Sequence, residues 1–389
     1  MITSLQGGDI MSRRKKGEGS YGERMINGIK YRYYKFPNGK IVYGKTLKEV
    51  NEKKQAYLES PESRIVSTNI IFSDYCYRWL KQKKRITEKT RQDYEREIDL
   101  HIKPYSIGSR PINSLTSQMC SKFLEELASD YALSTIKKCW AVVVQVIKYG
   151  MESKEIPIFP IDNVVKPSED TVVSKKKEVK FISEEDMNAV YEEAKKERYG
   201  NSGWLFIFIM YSGVRAAEAM CLQWGDITPD FKKVHVQRSM QKVKKRDENG
   251  NFIKVNGKYV YEYIEKSVKT TAGDRVIPLP KRGIEALNKM AEREHSNTDL
   301  VFISNTGMKY THNMLVKPLK MILKRSDSKI KNYSPHALRR GYGSILLSKG
   351  VNIAVISKLL GHSKVSTTLN IYTKAFDKDV EDAITKFDE

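Results

Sequence analysis

Cysteine is scarce and scattered in this chain. Cys76, Cys120, Cys139 and Cys221 form no C-x-x-C pair and no spaced framework. That excludes a disulfide-built scaffold, predicts no metal site and fits a reducing compartment. Long apolar runs are missing too. The longest, Trp204 to Met210, is far short of the roughly 20 residues a membrane span needs, so it reads as a buried helix. No secretory leader is legible: Met1 to Ile10 is polar, and Met11 before SRRKK offers a second start. Acidic residues are outnumbered, 47 against 69 Lys and Arg, for a net charge of +22. Such an excess points to a large polyanionic partner, the bland alternative being a basic protein with solvated lysines. The expectation is a cytoplasmic protein with no cofactor.

At 389 residues the chain has room for two or three domains, taking roughly 150 residues each. Residues 1–20 (with SRRKKGEGS) read as a flexible basic arm. In YGERMINGIKYRYYKFPNGKIVY, Asn27-Gly28 and Asn38-Gly39 are hairpin dipeptides between aromatic and β-branched residues. The prediction for residues 21–60 is a three-stranded sheet and then a helix over Leu47–Leu58. Lys30, Arg32 and Lys35 beside Tyr31, Tyr33 and Tyr34 are expected to make one basic, aromatic face that a DNA groove accepts. Residues 61–165 read as a linker and a four-helix module. Phe72, Tyr75, Cys76, Trp79 and Leu80 form an amphipathic stripe. Further helices are predicted over 87–101, 116–131 and 133–153. Lys84, Arg91 and Lys138 are candidate phosphate contacts on its exposed faces. The unpatterned, charged KPSEDTVVSKKKEV places a second linker at 166–179.

Residues 180–389 read as a second compact domain. Ser183-x-x-Asp186 opens a helix, and a strand-rich region runs from Lys232 to Leu279 with hairpin cues at Asn249-Gly250 and Asn256-Gly257. Helices are expected over 280–295 and 311–324, a short strand at 301–304, and a last amphipathic helix at 377–387. The fold class is therefore multidomain and mainly α with small β-sheets, ending in a mixed α+β domain. The stretch SPHALRRGYGSILLSKGVNIAVISKLLGHSKVSTTLNIY organises this last part. Pro335 suits a helix first turn. His336 and Arg339, three apart, project from one face of that helix. Gly361 ends the next helix and delivers His362 at the turn. Histidine, arginine, histidine and the late Tyr372 together suit a phosphate and an oxygen nucleophile. Upstream, Gly213 relaxes the backbone before Arg215, with Glu218 one turn on as an ion-pair partner. Lys269 precedes a turn at Ala272-Gly273-Asp274.

In GVRAAEAMCLQWGDI, SVKTTAGDRVIPL, PHALRRGYGS and LLGHSKVSTTLNIY the chain resembles the tyrosine recombinase (phage integrase) family. The preceding helices resemble the family's core-binding domain, and the front sheet resembles its small arm-site-binding domain. The three-part layout is similar to integrases of conjugative transposons and some temperate phages. The resemblance implies that Arg215 and Arg339 clamp the phosphate, Lys269 is the hairpin lysine, His336 and His362 are the two histidines, and Tyr372 is the nucleophile. It further implies a site-specific recombinase that works on double-stranded DNA through a 3′-phosphotyrosine, as a homotetramer on paired sites, with an excisionase-type accessory partner. Two departures neighbour these positions: Ala217 where Gly or Ser is common, and Arg340-Gly341 where a His-Thr pair is common. A type IB topoisomerase-like enzyme and a non-catalytic DNA-binding protein are the competing readings.

Overall fold

The computed structural model describes residues 19–36, 40–59, 69–156, 161–173, 182–268, 272–330 and 334–372. Lys269, most of the predicted arm, the Asn38-Gly39 turn and the predicted helix at 377–387 lie outside these residues, as does the side chain of Tyr372. The chain divides into two compact units, 1–176 and 177–389. Among the described residues no helix is long and apolar enough to cross a membrane.

The first unit opens with an antiparallel sheet, β1 (Ser20–Ile26), β2 (Ile29–Lys35) and β3 (Ile41–Gly44), followed by α1 (Leu47–Glu59). Asn27 and Gly28 sit at φ +50° and +76°, the left-handed pair that a two-residue hairpin requires. Helix α1 covers one face, where Lys54 lies 4.1 Å from the Tyr34 ring centroid and Tyr21 donates to Asn51 at 2.7 Å. The expected single basic, aromatic face does not form. Successive strand residues point to opposite sides, so Lys30 and Arg32 share the Tyr34 face. There both ion-pair with Glu23, at 2.7 and 3.2 Å. Lys35 falls on the other face with Tyr31 and Tyr33.

Four helices follow: α2 (Phe72–Gln82), α3 (Glu88–Glu97, continued by a π-helical turn at Ile98–Ile102), α4 (Ser117–Asp130) and α5 (Leu133–Glu152). Thr87 and Thr116 cap α3 and α4, each side chain accepting an N–H three residues on, a contact that contributes about 1 kcal/mol. The predicted stripe is the core: Phe72, Tyr75, Cys76, Trp79 and Leu80 are buried against residues of α4 and α5. Beyond α5, Val172 is buried in the same core and the Val173 N–H donates to Ala128. The stretch read as a charged linker thus starts packed on α4. Lys84 and Lys138 are exposed. Arg91 is not free for a phosphate in the same way, because its guanidinium donates to the Leu80 and Lys83 carbonyls at 3.2 and 2.9 Å. It closes the end of α2, whose last carbonyls lack helical partners.

The second unit begins with α6 (Glu184–Ala194), capped by Ser183, whose hydroxyl accepts the Asp186 N–H. Next come α7 (Gly200–Ser212) and the single turn α8 (Ala216–Ala219). Leu205 to Met210 are all fully buried, because α7 is the central helix and is apolar on every side. Strands β4 (Lys233–Val236), β5 (Arg238–Lys244), β6 (Lys254–Val255), β7 (Lys258–Tyr259), β8 (Tyr261–Ser267) and β9 (Arg275–Pro278) pair as three antiparallel ribbons, β4 with β9, β5 with β8 and β6 with β7. Helices α9 (Lys281–Ala291), α10 (His312–Arg325), α11 (Pro335–Ser348), α12 (Ile353–Leu360) and α13 (Val365–Tyr372) complete it. Helices α6, α9, α10 and α11 pack on α7. Two expectations shift. The helix predicted over 280–295 ends at Ala291, and His295 instead stacks on Trp224 at 3.9 Å. The strand expected at 301–304 reduces to isolated bridges, such as Ile303 with Lys309.

Candidate active site

Two left-handed glycines set the site's backbone. Gly213 at φ +67° ends α7 and turns the chain into Arg215, the N-cap of α8. Gly361 at φ +65° ends α12 and presents His362. A side chain at either position would be strained, since left-handed backbone crowds a Cβ. Ser334 and Pro335 start α11 as expected, with the Ser334 hydroxyl accepting the His336 N–H. These three local devices carry Arg215, His336, Arg339 and His362 toward one place, where Arg215 reaches the Gly361 carbonyl 146 residues along the chain.

The centre of that place is Glu218. Its carboxylate accepts from the Arg215 backbone N–H at 2.9 Å and from Arg215 Nη1 at 2.6 Å. Arg275 Nη2 donates to it at 2.9 Å, and Arg339 Nη1 lies 4.0 Å away. The Glu218 side chain is 2% exposed, those of Arg275 and Arg339 are 6% and 2%, and that of Arg215 is 40%. Burial alone would raise the Glu218 pKa, but the Arg275 and Arg215 charges outweigh it and hold the group below the usual carboxylate range.

The same three arginines grip the end of α12. Leu359, Leu360 and Gly361 are consecutive. Their carbonyls accept from Arg275 Nε at 2.8 Å, from Arg339 Nη2, and from Arg215 Nη2 at 3.1 Å, in that order. Carbonyls of a last helical turn have no partner within the helix and lie at the negative end of its dipole, so guanidiniums satisfy both needs. Arg339 also donates to the Gly213 carbonyl at 2.8 Å. Three cations against one carboxylate leave a surplus of two positive charges (3 − 1) around Glu218. Arg215 is the member of the trio with substantial exposed surface.

His362 joins α12 to α13: its Nδ1 lies 2.7 Å from the Thr368 hydroxyl. Tyr372 is the last residue of α13, one helical turn beyond Thr368. Lost hydration and then the Arg339 and Arg215 charges lower the His362 pKa to about 4. His336 falls to about 4 as well, through lost hydration and then Arg339, Arg340 and Arg215. Both imidazoles are therefore neutral near pH 7.

Unfolded histidine takes up its proton near 6.5, whereas these two bind theirs only near 4. Acidification through that window therefore loads protons on the unfolded chain first and lowers stability. The stability that the neutral rings contribute is complete above 6.5. In an NMR titration of the DNA-free protein, two imidazoles should still be neutral at pH 6. Ordinary midpoints near 6.5 for both His336 and His362 would contradict the site's electrostatics.

Arg215, His336, Arg339 and His362 are thus brought together, while Lys269 and the Tyr372 side chain lie outside what is described. The sequence patterns above do not reach Arg275, and they give Glu218 only as a partner for Arg215. A signal for Arg275 existed. Strand β9 alternates buried and exposed, and Arg275 stands on the buried side with Ile277. A charge on that side requires a buried counter-charge.

Comparison with known proteins agrees with this architecture. The profile described as the phage integrase family matches residues 180–379, and a phage integrase N-terminal SAM-like domain matches residues 71–128. A XerC-like tyrosine recombinase of Caldanaerobacter subterraneus subsp. tengcongensis is 27% identical over 373 residues, covering 89% of this chain and 92% of that protein. The Tn1549 transposon integrase, solved with a circular intermediate DNA, is similar in fold at TM-score 0.63 and 16% identity, covering 78% of this chain and 95% of that one. A lambda integrase tetramer bound to a Holliday junction gives TM-score 0.52 at 17% identity, over 92% and 96% of the two chains. This chain belongs to the phage integrase family, the tyrosine recombinases, and is a DNA breaking-and-rejoining enzyme.

Proposed function

We propose that the chain is the integrase of a mobile element, joining and releasing the element's DNA ends through a covalent bond to Tyr372. The observation that carries this reading is the cationic cluster around Glu218, which holds Arg215, Arg339, His336 and His362 beside the helix that ends in Tyr372. Arg215 grips two non-bridging oxygens of the scissile phosphate with its planar fork, and the Arg339 charge backs it. A phenol is a poor nucleophile until its proton has somewhere to go, and the same holds for Tyr372. Neutral His336 accepts that proton. The Tyr372 oxygen bonds to phosphorus, and the bond to the 5′ oxygen breaks. The leaving oxygen keeps the electron pair and takes a proton from Lys269. The product is a 3′-phosphotyrosine, so a 5′ hydroxyl from another strand reverses the step with no nucleotide cofactor. His362, fixed by Thr368, donates to the phosphate as charge builds there.

Two such enzymes on each of two sites make a tetramer, the assembly recorded for lambda integrase on a Holliday junction. The front sheet and the exposed Lys35, Lys84 and Lys138 are assigned to DNA outside the scissile phosphate. An excisionase-type partner sets direction, and the enzyme acts at the bacterial nucleoid.

The test is a nicked suicide duplex drawn from candidate element ends. Cleavage there releases a short fragment that diffuses away, so the covalent adduct accumulates. A denaturing gel should show protein–DNA adduct on a restricted set of sequences. Relaxation of supercoiled DNA with no sequence requirement would favour a topoisomerase-like enzyme instead. Absence of adduct on every nicked substrate that the protein binds would leave a DNA-holding protein.

A further inference from the structure

We propose that Arg275 is a positioning residue for DNA cleavage: it neutralises Glu218 and pins the end of α12, which leaves Arg215 turned outward for the phosphate. The inference rests on the reading of Arg215 as the phosphate grip. Arg275 cannot itself reach a DNA backbone, because its side chain is 6% exposed and its donors are engaged within the protein. Nε donates to the Leu359 carbonyl at 2.8 Å. Nη1 donates to the Gly273 carbonyl at 3.0 Å and to Glu218 at 3.4 Å, and Nη2 donates to Glu218 at 2.9 Å. One planar fork thus ties the turn before β9 to the arginine cluster and to the helix that delivers His362.

Glu218 is a buried carboxylate, and a buried charge must be compensated. With Arg275 in place, the carboxylate is shared and Arg215 keeps donors and an exposed face. With Arg275 removed, the closest remaining cation is Arg215 at 2.6 Å, with Arg339 at 4.0 Å. Glu218 then draws Arg215 inward, and the surplus charge at the site drops from two to one. Gly361 packs closely beside the Arg275 guanidinium. A Cβ built there would lie 2.8 Å from Arg275 Nη1 and 2.9 Å from the Ala272 carbonyl oxygen. Guanidinium and backbone are in direct contact where the chain turns into His362, so the placement of that histidine depends on the arginine.

The experiment uses the full chain in single-turnover cleavage of the nicked duplex, with DNA affinity measured alongside. Arg275→Gln should slow adduct formation about 100-fold, the scale of losing one preorganised donor, while affinity stays near wild type. Arg275→Lys should fall between, since an ammonium restores the charge but not the fork. On a duplex whose scissile linkage is a neutral methylphosphonate, the Arg275→Gln deficit should shrink about tenfold, because less oxyanion charge needs gripping. Glu218→Gln combined with Arg275→Gln should recover part of the rate, since the competing carboxylate is then gone. A wild-type rate for Arg275→Gln would overturn the inference. So would a deficit equal on both linkages and unrelieved in the double variant, which would mark Arg275 as support for the fold alone. Arg215→Lys, run in parallel, separates the two claims. Normal cleavage there strikes the phosphate-grip reading, whereas slow Arg215→Lys beside normal Arg275→Gln strikes only the inference.

Discussion

Tyr372→Phe is expected to abolish covalent adduct on the nicked duplex while leaving DNA affinity at the wild-type level. The substitution removes one oxygen. No bond to phosphorus can then form, so the loss is complete rather than partial. Affinity is insensitive to it because binding draws on many lysine and arginine contacts with backbone phosphates. The chain's surplus of 22 positive charges is consistent with such a distributed source of binding. Tyr372 ends α13, which joins the cationic cluster through the His362–Thr368 contact. Any protein–DNA adduct formed by the phenylalanine variant would remove Tyr372 from the reaction and force a search for another nucleophile.

Arg215→Lys should cost the next largest amount, about 10²–10³ in cleavage rate, or roughly 3–4 kcal/mol of transition-state stabilisation. Lysine keeps the charge and loses the geometry. Arg215 now holds Glu218 with Nη1 and the Gly361 carbonyl with Nη2, while 40% of the side chain remains open. A single ammonium cannot serve a buried carboxylate, a helix-end carbonyl and a phosphate in one geometry. The backbone N–H of residue 215 still caps α8 through Glu218, so the fold should persist, and a melting curve taken alongside checks that. Normal turnover in the variant would reduce Arg215 to a structural ion pair.

Much of this arrangement was legible before any coordinates. Gly213, Pro335 and Gly361 act through their own backbones. Their effects on the neighbouring Arg215, His336 and His362 are local and follow from residue type and spacing. The amphipathic stripe on α2 likewise became a core, because a helical period depends on nothing outside the helix. The clearest failures at candidate binding residues were questions of strand parity and of partnership. Lys30, Arg32 and Lys35 look like one face in the sequence, but strand parity divides them and Glu23 takes two of the three. Arg91 looks like a phosphate contact in the sequence and instead closes the end of α2. Arg275 went unnoticed because its partners Glu218 and Leu359 lie 57 and 84 residues away.

Residue order alone was sufficient for the class of partner, the helical character of the middle of the chain, and the turns that present Arg215, His336 and His362. Those follow from charge, period and turn chemistry, which act over a few residues at a time. Folding alone decided that one buried glutamate would hold three arginines, that these would grip three successive carbonyls of α12, and that one of the three would stay open to solvent. A buried charge must find its compensation wherever packing brings it, and no local rule of sequence says which distant side chain that will be.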